Sequence, residues 1–213
     1  MISRIPAAGG LACAVLFTTA VTAWGNDVPR LSYSKEFPGS MPPYIGITVD
    51  GTGAGEYKEA HNDDQPIRFK LKEAEAAEIF SLVEKLENFR RPLESPLKVA
   101  FMGTKTFRIE RGAEKAEVKF NFSEDLAARA LADWFERIAE SEQHLVNLER
   151  TVKYDKLGVL KALLLLEASL DRKRLVAVEQ YLPMLDRVAK NATYMHTARV
   201  RAAGIAEAIR ATK

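Results

Sequence analysis

Alternating apolar and polar positions predict β-strands in the first half of the chain. In YIGITV (44–49), Ile45, Ile47 and Val49 occupy every second position, and PIRFKL (66–71) repeats the alternation. This period of two is typical of a strand with one buried face. The same pattern predicts further short strands at 31–34, LKVAFM (97–102), TFRIER (106–111) and AEVKFNF (116–122).

Steps of three and four residues between apolar positions predict helices elsewhere. KEAEAAEIFSLVEKLENF (72–89) reads as an amphipathic helix with an acidic solvent face. Ser123 is predicted to cap a long second helix. LGVLKALLLLEASL (157–170) is apolar almost all round and is therefore expected to be largely buried, and two more helices meet near Asn191.

The order of these elements predicts an α+β fold. We expect an antiparallel sheet of about five or six short strands with amphipathic helices, followed by an all-helical C-terminal portion. The predicted organisation is a leader at 1–25, an α+β domain at 26–150 and a helical region at 151–213. The helical region packs on the domain or extends from it. A domain boundary near 150–156 is one possibility, and a long helix that continues across that segment is the other.

The first 25 residues have the composition of a secretory signal peptide. Arg4 precedes an uncharged apolar run, and small residues follow it, which predicts cleavage after Ala23 or Gly25. A retained membrane anchor is the alternative. Cys13 is the single cysteine, so a cleaved chain has no disulfide and no thiolate nucleophile. We therefore expect an exported protein, periplasmic or secreted, without a transmembrane span in the mature chain.

The net charge of +2 conceals an asymmetry between the two halves. Residues 26–150 contain 18 basic and 23 acidic side chains, whereas residues 151–213 contain 12 and 6. Either the halves attract each other or carry solvated faces, or the basic end binds an anionic envelope surface. Nucleic acid is not expected as a partner of an exported protein. The predicted partner-binding residues are Arg172, Lys173, Arg174, Arg187, Lys190, Arg199 and Arg201.

Three glycines at alternate positions, Gly51, Gly53 and Gly55, raise the question of a phosphate-binding loop. A dinucleotide fingerprint requires G-x-G-x-x-G followed directly by a helix. Here the spacing differs, and the following EYKEAHNDDQP lacks helical periodicity. Asp50-Gly51 after an alternating strand is instead a strong hairpin signal, so the sequence predicts a turn.

Residues 43–89 carry a resemblance to a known family. Pro43, Tyr44, an alternating strand, the Asp50-Gly51 turn and Tyr57 resemble a domain of unknown function found in exported bacterial proteins. That family often has a cysteine just before the Pro-Tyr pair, where this chain has Pro42. The resemblance implies part of a fold and an exported location but no activity.

Metal binding is the first candidate chemistry. AHNDDQ contains His61, Asp63 and Asp64, which suit a hard or borderline cation. Asn and Asp clusters are more often turns that hydrogen-bond to their own backbone. Glu136, Glu140 and His144 fall on one face of the long helix, either as a zinc or proton-transfer set or as a polar stripe.

Two further patterns are open to a functional or a structural interpretation. SYSK, from Ser32 to Lys35, matches the S-x-x-K acylation motif but lacks the accompanying S-D-N and K-T-G. Six aromatic residues have the spacing of a core between sheet and helix rather than of a ligand site. They are Phe101, Phe107, Phe120, Phe122, Trp134 and Phe135.

These patterns predict a non-enzymatic exported protein that acts by binding or as an envelope accessory. The expected partner is a protein or an anionic envelope component, and no cofactor is expected. The alternative is a hydrolase or metal-dependent enzyme that uses His61 with Asp63 and Asp64.

Overall fold

The computed structural model describes residues 28–211. The predicted leader at 1–25, its cleavage positions and Cys13 lie outside these residues. The strands are β1 (Arg30–Glu36), β2 (Tyr44–Asp50), β3 (Ala54–Lys58), β4 (Ile67–Lys70), β5 (Thr104–Arg111) and β6 (Glu114–Phe120). The helices are α1 (Glu73–Lys85), α2 (Leu126–Tyr154), α3 (Val159–Asp171), α4 (Leu182–Lys190) and α5 (His196–Ala211). Short 3₁₀ turns lie at Glu87–Phe89 and Val178–Tyr181.

The six strands form one antiparallel sheet in the order β4-β3-β2-β1-β5-β6, followed by a helical C-terminal part, which confirms the predicted α+β fold. β1 is central and pairs along its whole length with β2 and β5. The strand predicted at 97–102 is wrong, because this segment pairs with no strand. The side chain of Asn121 instead holds its backbone, donating to the carbonyl of Ala100 and accepting from the amide of Met102.

One face of the sheet packs against α1 and α2 to form the first core. Phe107 is fully buried, and its ring lies within 6 Å of four other aromatic rings. The predicted burial is confirmed for Phe107, Phe120, Trp134 and Phe135. It is wrong for Phe101, which is 58% exposed because the segment before β5 leaves the sheet.

A second apolar cluster joins the C-terminal half of α2 to α3, α4 and α5. α2 ends at Tyr154, inside the segment 150–156 where a boundary is predicted. Ile67 of β4 packs against both clusters. The expectation that α3 is largely buried is wrong, since Leu164 and Leu165 are 44% and 48% exposed. α3 packs on one side only.

Asp125, not the predicted Ser123, caps α2. Its Oδ1 accepts hydrogen bonds from the amides of Ala127 and Ala128 at 2.8 and 3.0 Å. The Ser123 hydroxyl instead accepts a hydrogen bond from the amide of Asp125 itself, at 3.3 Å, and so lies two residues before the cap. Both residues are good N-caps, so the choice depends on where the chain leaves β6.

The predicted turn between β2 and β3 is confirmed. Oδ1 of Asp50 accepts hydrogen bonds from the amides of Thr52 and Ala54 and from the Thr52 hydroxyl. Gly53 adopts φ +85°, and a Cβ there would lie 2.9 Å from the carbonyl oxygen of Leu71. The segment therefore closes on itself and on the end of β4, rather than opening into a helix N-terminus.

Replacing Gly53 with alanine is expected to lower the free energy of unfolding by about 1–3 kcal/mol, because the new Cβ occupies a left-handed conformation and a crowded site. Urea denaturation followed by circular dichroism measures this. Gly204→Ala is the control: it lies inside α5 with no atom within 4 Å of the new Cβ, and should stabilise slightly. Equal effects at both positions would contradict the strain at Gly53.

Candidate functional site

The face of the sheet opposite the core carries polar side chains. α1 and α2 pack against the other face, and α3 to α5 pack around the distal half of α2. Strand alternation turns Leu31 and Tyr33 towards the core and Ser32 and Ser34 away from it. A polar surface built on a rigid sheet is a suitable place to hold a ligand.

Small side chains from three neighbouring strands form the floor of a depression at the centre of this face. The pairing places Ser34 opposite Gly46 on one side and Thr106 on the other, and Ser32 opposite Thr48. The depression has a volume of about 460 Å³. A second depression of about 450 Å³ shares Arg30, Thr48 and Glu56 with it. We call this elongated groove, with its floor of Ser32, Ser34, Gly46, Thr48 and Thr106, the polar trough.

Tyr44 and His61 form one wall of the polar trough. Their ring centroids are 3.8 Å apart, and the Tyr44 ring lies over Gly46. A Cβ at position 46 would come within 2.6 Å of the Tyr44 hydroxyl, so glycine makes room for this ring. Burial and the nearby Glu36 carboxylate raise the pKa of Tyr44, which keeps the phenol protonated and able to donate a hydrogen bond.

Charged side chains at the rim of the polar trough are largely paired with one another. Arg108 contacts Glu110 at 2.6 Å, and Arg68 and Arg30 contact Glu56 at 3.6 and 3.9 Å. The hydrogen bond from Arg108 holds the pKa of Glu110 below its usual value. The rim therefore contributes little net charge to the groove.

The floor and wall, by contrast, offer groups that are free to bind a ligand. Within residues 28–211, six side chains of the polar trough make no hydrogen bond or ion pair with another side chain or with the backbone. They are Ser32, Ser34, Tyr44, Thr48, Lys58 and Thr106. Four of these six are aliphatic hydroxyls, each of which can both donate and accept.

The predicted metal residues lie beside the trough, in the connection between β3 and β4. His61 packs on Tyr44 and lies 3.7 Å from Glu36, while Asp63 accepts a hydrogen bond from the amide of Gln65 in a turn. Asp64 is exposed. Across residues 28–211, no three His, Cys, Asp or Glu side chains are grouped closely enough to hold a metal ion.

Glu140 and His144 belong to a half-buried network between α2 and α3, not to an outer polar stripe. Ser169, 2% exposed, donates to Glu140 at 2.7 Å and lies 3.0 Å from Nε2 of His144. Arg174 contacts Glu140 and Asp133 at 3.2 and 2.6 Å. Burial lowers the pKa of His144. Because Ser169 is inaccessible, this network ties helices together rather than presenting a nucleophile.

Ser32 and Lys35, the ends of the S-x-x-K match, lie on opposite faces of β1, since they are three residues apart in a strand. The serine therefore faces the trough without its lysine. An acylating serine needs that lysine or another base beside it.

The seven predicted basic residues lie in three places. Arg172, Lys173 and Arg174 follow the end of α3, Arg187 and Lys190 lie in α4, and Arg199 and Arg201 lie in α5. Arg174 is bound to Asp133 and Glu140, and Arg201 forms an ion pair with Glu167. Arg199 and Arg201, two residues apart on α5, point in different directions. Binding of a partner by the remaining cations stays a prediction.

Sequence patterns alone did not identify the polar trough. The available signal was the pair of serines on the polar side of β1, together with Gly46 and Thr48 in β2. Only the pairing of β1 with both β2 and β5 brings these residues next to Thr106.

Comparison with known proteins adds no assignment. No protein-family model matches the chain, and no curated protein sequence matches it.

Among residues 28–211, none of the helices combines the length and the apolar composition required to cross a bilayer.

Proposed function

We propose that this chain is an exported, non-enzymatic binding protein that holds a neutral, hydroxyl-rich ligand in the polar trough. An oligosaccharide is the chemical class that fits best. The observation that carries the proposal is the set of six unpartnered hydrogen-bonding side chains on a preformed surface. Fixed groups of this kind bind a ligand without first breaking internal bonds.

The chemistry of the trough favours a sugar over an ionic ligand. Three cations, Arg30, Lys58 and Arg108, line the first depression and are balanced by three carboxylates, so a charged ligand gains little there. The carboxylates are Glu56, Glu110 and Glu117. Hydroxyl groups on the floor can match both the donors and the acceptors of a sugar. The Tyr44 ring adds an apolar wall beside them. The two adjoining depressions, of about 460 and 450 Å³, offer room for more than one sugar unit.

Binding is favoured over hydrolysis because no serine of the trough is activated. Neither Ser32 nor Ser34 is hydrogen-bonded to a base in the described part of the chain. Nucleophilic catalysis requires such a base next to the hydroxyl.

Export is supported by the leader-like composition of residues 1–25 and by the resemblance of residues 43–89 to exported bacterial proteins. An oligosaccharide or glycan of the cell envelope is then the accessible ligand. The protein would act as an accessory of that envelope and not as an enzyme.

Binding to a glycan array, with and without a blocked trough, tests this function. Ser34→Trp places a large ring in the centre of the floor, and we expect it to weaken binding by about tenfold or more. Thr197→Trp, at an exposed position of α5 that lines neither depression, is the matched control and should bind as the wild type does. If no glycan is retained by the wild type above the level of Ser34→Trp, the proposal is wrong.

A further inference from the structure

A further pocket lies on the core side of the sheet, between β1 and the middle of α2. Strand alternation turns Tyr33 and Lys35 towards this side, away from the polar trough. Glu136, Ala139 and Glu140 line the pocket from α2, at steps of three and four residues along one face of the helix. Its volume is about 310 Å³, within the range of sites that hold small molecules. We call it the helix-side pocket.

The hydroxyl group of Tyr33 is a buried donor at this pocket. Tyr33 is 2% exposed, and its hydroxyl makes no hydrogen bond with any group of residues 28–211. The ring stacks on Phe135, with centroids 4.7 Å apart, which holds it in place. Burial and the nearby Glu136 carboxylate raise the pKa of the phenol, so it stays protonated and able to donate. A buried donor without an acceptor destabilises the folded chain, and a ligand that supplies the acceptor removes this penalty.

Two oppositely charged side chains of the helix-side pocket are free as well. Over the described range 28–211, neither Lys35 nor Glu136 forms a hydrogen bond or an ion pair, with each other or with a third group. Lys35 is half-buried and Glu136 is exposed. The pocket therefore offers one positive and one negative group to a ligand, beside the neutral phenol of Tyr33.

The other charged groups around the pocket are engaged by the protein. Arg174 contacts Glu140 at 3.2 Å and Asp133 at 2.6 Å. Lys105, on the neighbouring strand β5, donates to the carbonyl of Asn121 at 2.9 Å. These two cations and two carboxylates balance one another. The surroundings consequently favour neither an anion nor a cation.

From this arrangement we infer that the helix-side pocket binds a free α-amino acid in its zwitterionic form. The carboxylate of the ligand contacts the ammonium group of Lys35 and accepts a hydrogen bond from the Tyr33 hydroxyl. Its ammonium group contacts the Glu136 carboxylate. A ligand with a single charge leaves one of these two protein charges without a partner, which is how the pocket discriminates against it.

The apolar part of the lining selects the side chain of the amino acid. Ile45, Phe135 and Ala139 border the pocket beside its charged groups. An aliphatic side chain buries apolar surface against them, whereas a polar one loses water there without gaining a partner. The pocket and the polar trough lie on opposite sides of the sheet, so the inference does not depend on the ligand of the trough.

Isothermal titration calorimetry of the full chain with leucine, valine and methionine in turn tests the inference. We expect at least one of them to bind with a dissociation constant of about 1 mM or lower. The best ligand is then compared with its two analogues of single charge. For leucine these are 4-methylpentanoate, which lacks the ammonium group, and 3-methylbutylamine, which lacks the carboxylate. Each should bind about tenfold more weakly. No binding of any of the three amino acids, or equal binding of an analogue, would overturn the inference.

Three substitutions assign the binding to this pocket. Tyr33→Phe removes only the hydroxyl group and should weaken binding about fivefold. The same variant should leave the unliganded chain at least as stable as the wild type, because the group that it removes is buried without a partner. Lys35→Met and Glu136→Gln keep the length of each side chain and remove its charge, and each should weaken binding about tenfold.

Matched control substitutions lie outside the pocket. Tyr154→Phe removes the hydroxyl group of a tyrosine that is 74% exposed at the end of α2, and Lys161→Met removes the charge of an exposed lysine on α3. Both variants should bind the amino acid as the wild type does. If Tyr33→Phe, Lys35→Met and Glu136→Gln bind it as tightly as these controls, the ligand lies elsewhere and the inference is wrong. Lower stability of unliganded Tyr33→Phe would show that the hydroxyl has a structural partner, which also contradicts it.

Discussion

Replacing Phe107 with alanine is expected to lower the free energy of unfolding by about 3–5 kcal/mol, the range for a large buried aromatic residue. Phe107 has no exposed surface. Its ring centroid lies 5.1 Å from Phe120, 5.4 Å from Phe89 and 5.7 Å from Tyr33. The substitution removes ring contacts on several sides and leaves a cavity that rigid neighbours from sheet and helix cannot fill.

Urea denaturation monitored by circular dichroism measures this loss. Phe101→Ala makes the same chemical change three positions before β5 begins, where the side chain is 58% exposed, and should alter stability by less than about 0.5 kcal/mol. Comparable losses from the two substitutions would show that Phe101 is packed in solution and would contradict its exposure in the structure.

The stability of the protein is expected to fall as the pH rises from about 5 to above 7, because of Glu142. This carboxyl group has no exposed surface, and burial raises its pKa to about 7, with a smaller contribution from Glu149. Gln180 donates a hydrogen bond to Oε1 at 2.8 Å, which opposes the shift. Oε2 has no hydrogen-bond partner within residues 28–211. A neutral acid tolerates this environment and an ionised one does not.

The direction of the effect follows from the two protonation states. The pKa of Glu142 is about 7 in the folded protein, above its ordinary value of 4.5. Between these values the folded state holds a proton that the unfolded state has released. The stabilisation is fully present below the lower pKa and is lost as the pH rises through the higher one. The total change is about 3 kcal/mol.

Glu142→Gln should remove this dependence, because the amide is neutral at every pH and has the same shape. The free energy of unfolding is measured for both proteins between pH 5 and pH 8, and the difference between them is the test. The difference is needed because His144, whose pKa is lowered by burial, contributes a trend of the opposite sign in both proteins. A difference that is constant over this range would show that Glu142 does not titrate there. Glu149→Gln, an exposed neighbour on α2, is the control and should leave most of the slope intact.

Loop 97–102 and β5 show how far sequence reasoning reaches. LKVAFM and TFRIER have the same alternation, and both were predicted to be strands. Only TFRIER forms a strand, because β5 pairs with β1 on one side and with β6 on the other. LKVAFM pairs with no strand, and the side chain of Asn121 holds its backbone. Alternation shows that a segment is able to form a strand, and pairing with other segments determines whether it does so.

The same limit applies to the candidate site. Ser32 and Ser34 are unremarkable in a sequence, and the prominent candidates, His61 with Asp63 and Asp64, are local in the chain. The trough needs the register of β1 and β2 against β5, which follows them in the chain only after β3, β4 and α1. The shape of its wall depends on Gly46 lying under Tyr44. The pairing of β1 with β5 has no local pattern in the sequence.

By itself, the sequence determined the period of each element, the turn after Asp50 and the class of fold, because hydrophobic spacing and turn propensity act over a few neighbouring residues. Tertiary structure alone determined which face of the sheet is exposed to solvent, that Phe101 lies outside the core, and that the carboxyl group of Glu142 is buried away from water. These outcomes depend on burial and strand pairing between residues distant in the chain. Burial of that kind is a property of the whole packed molecule.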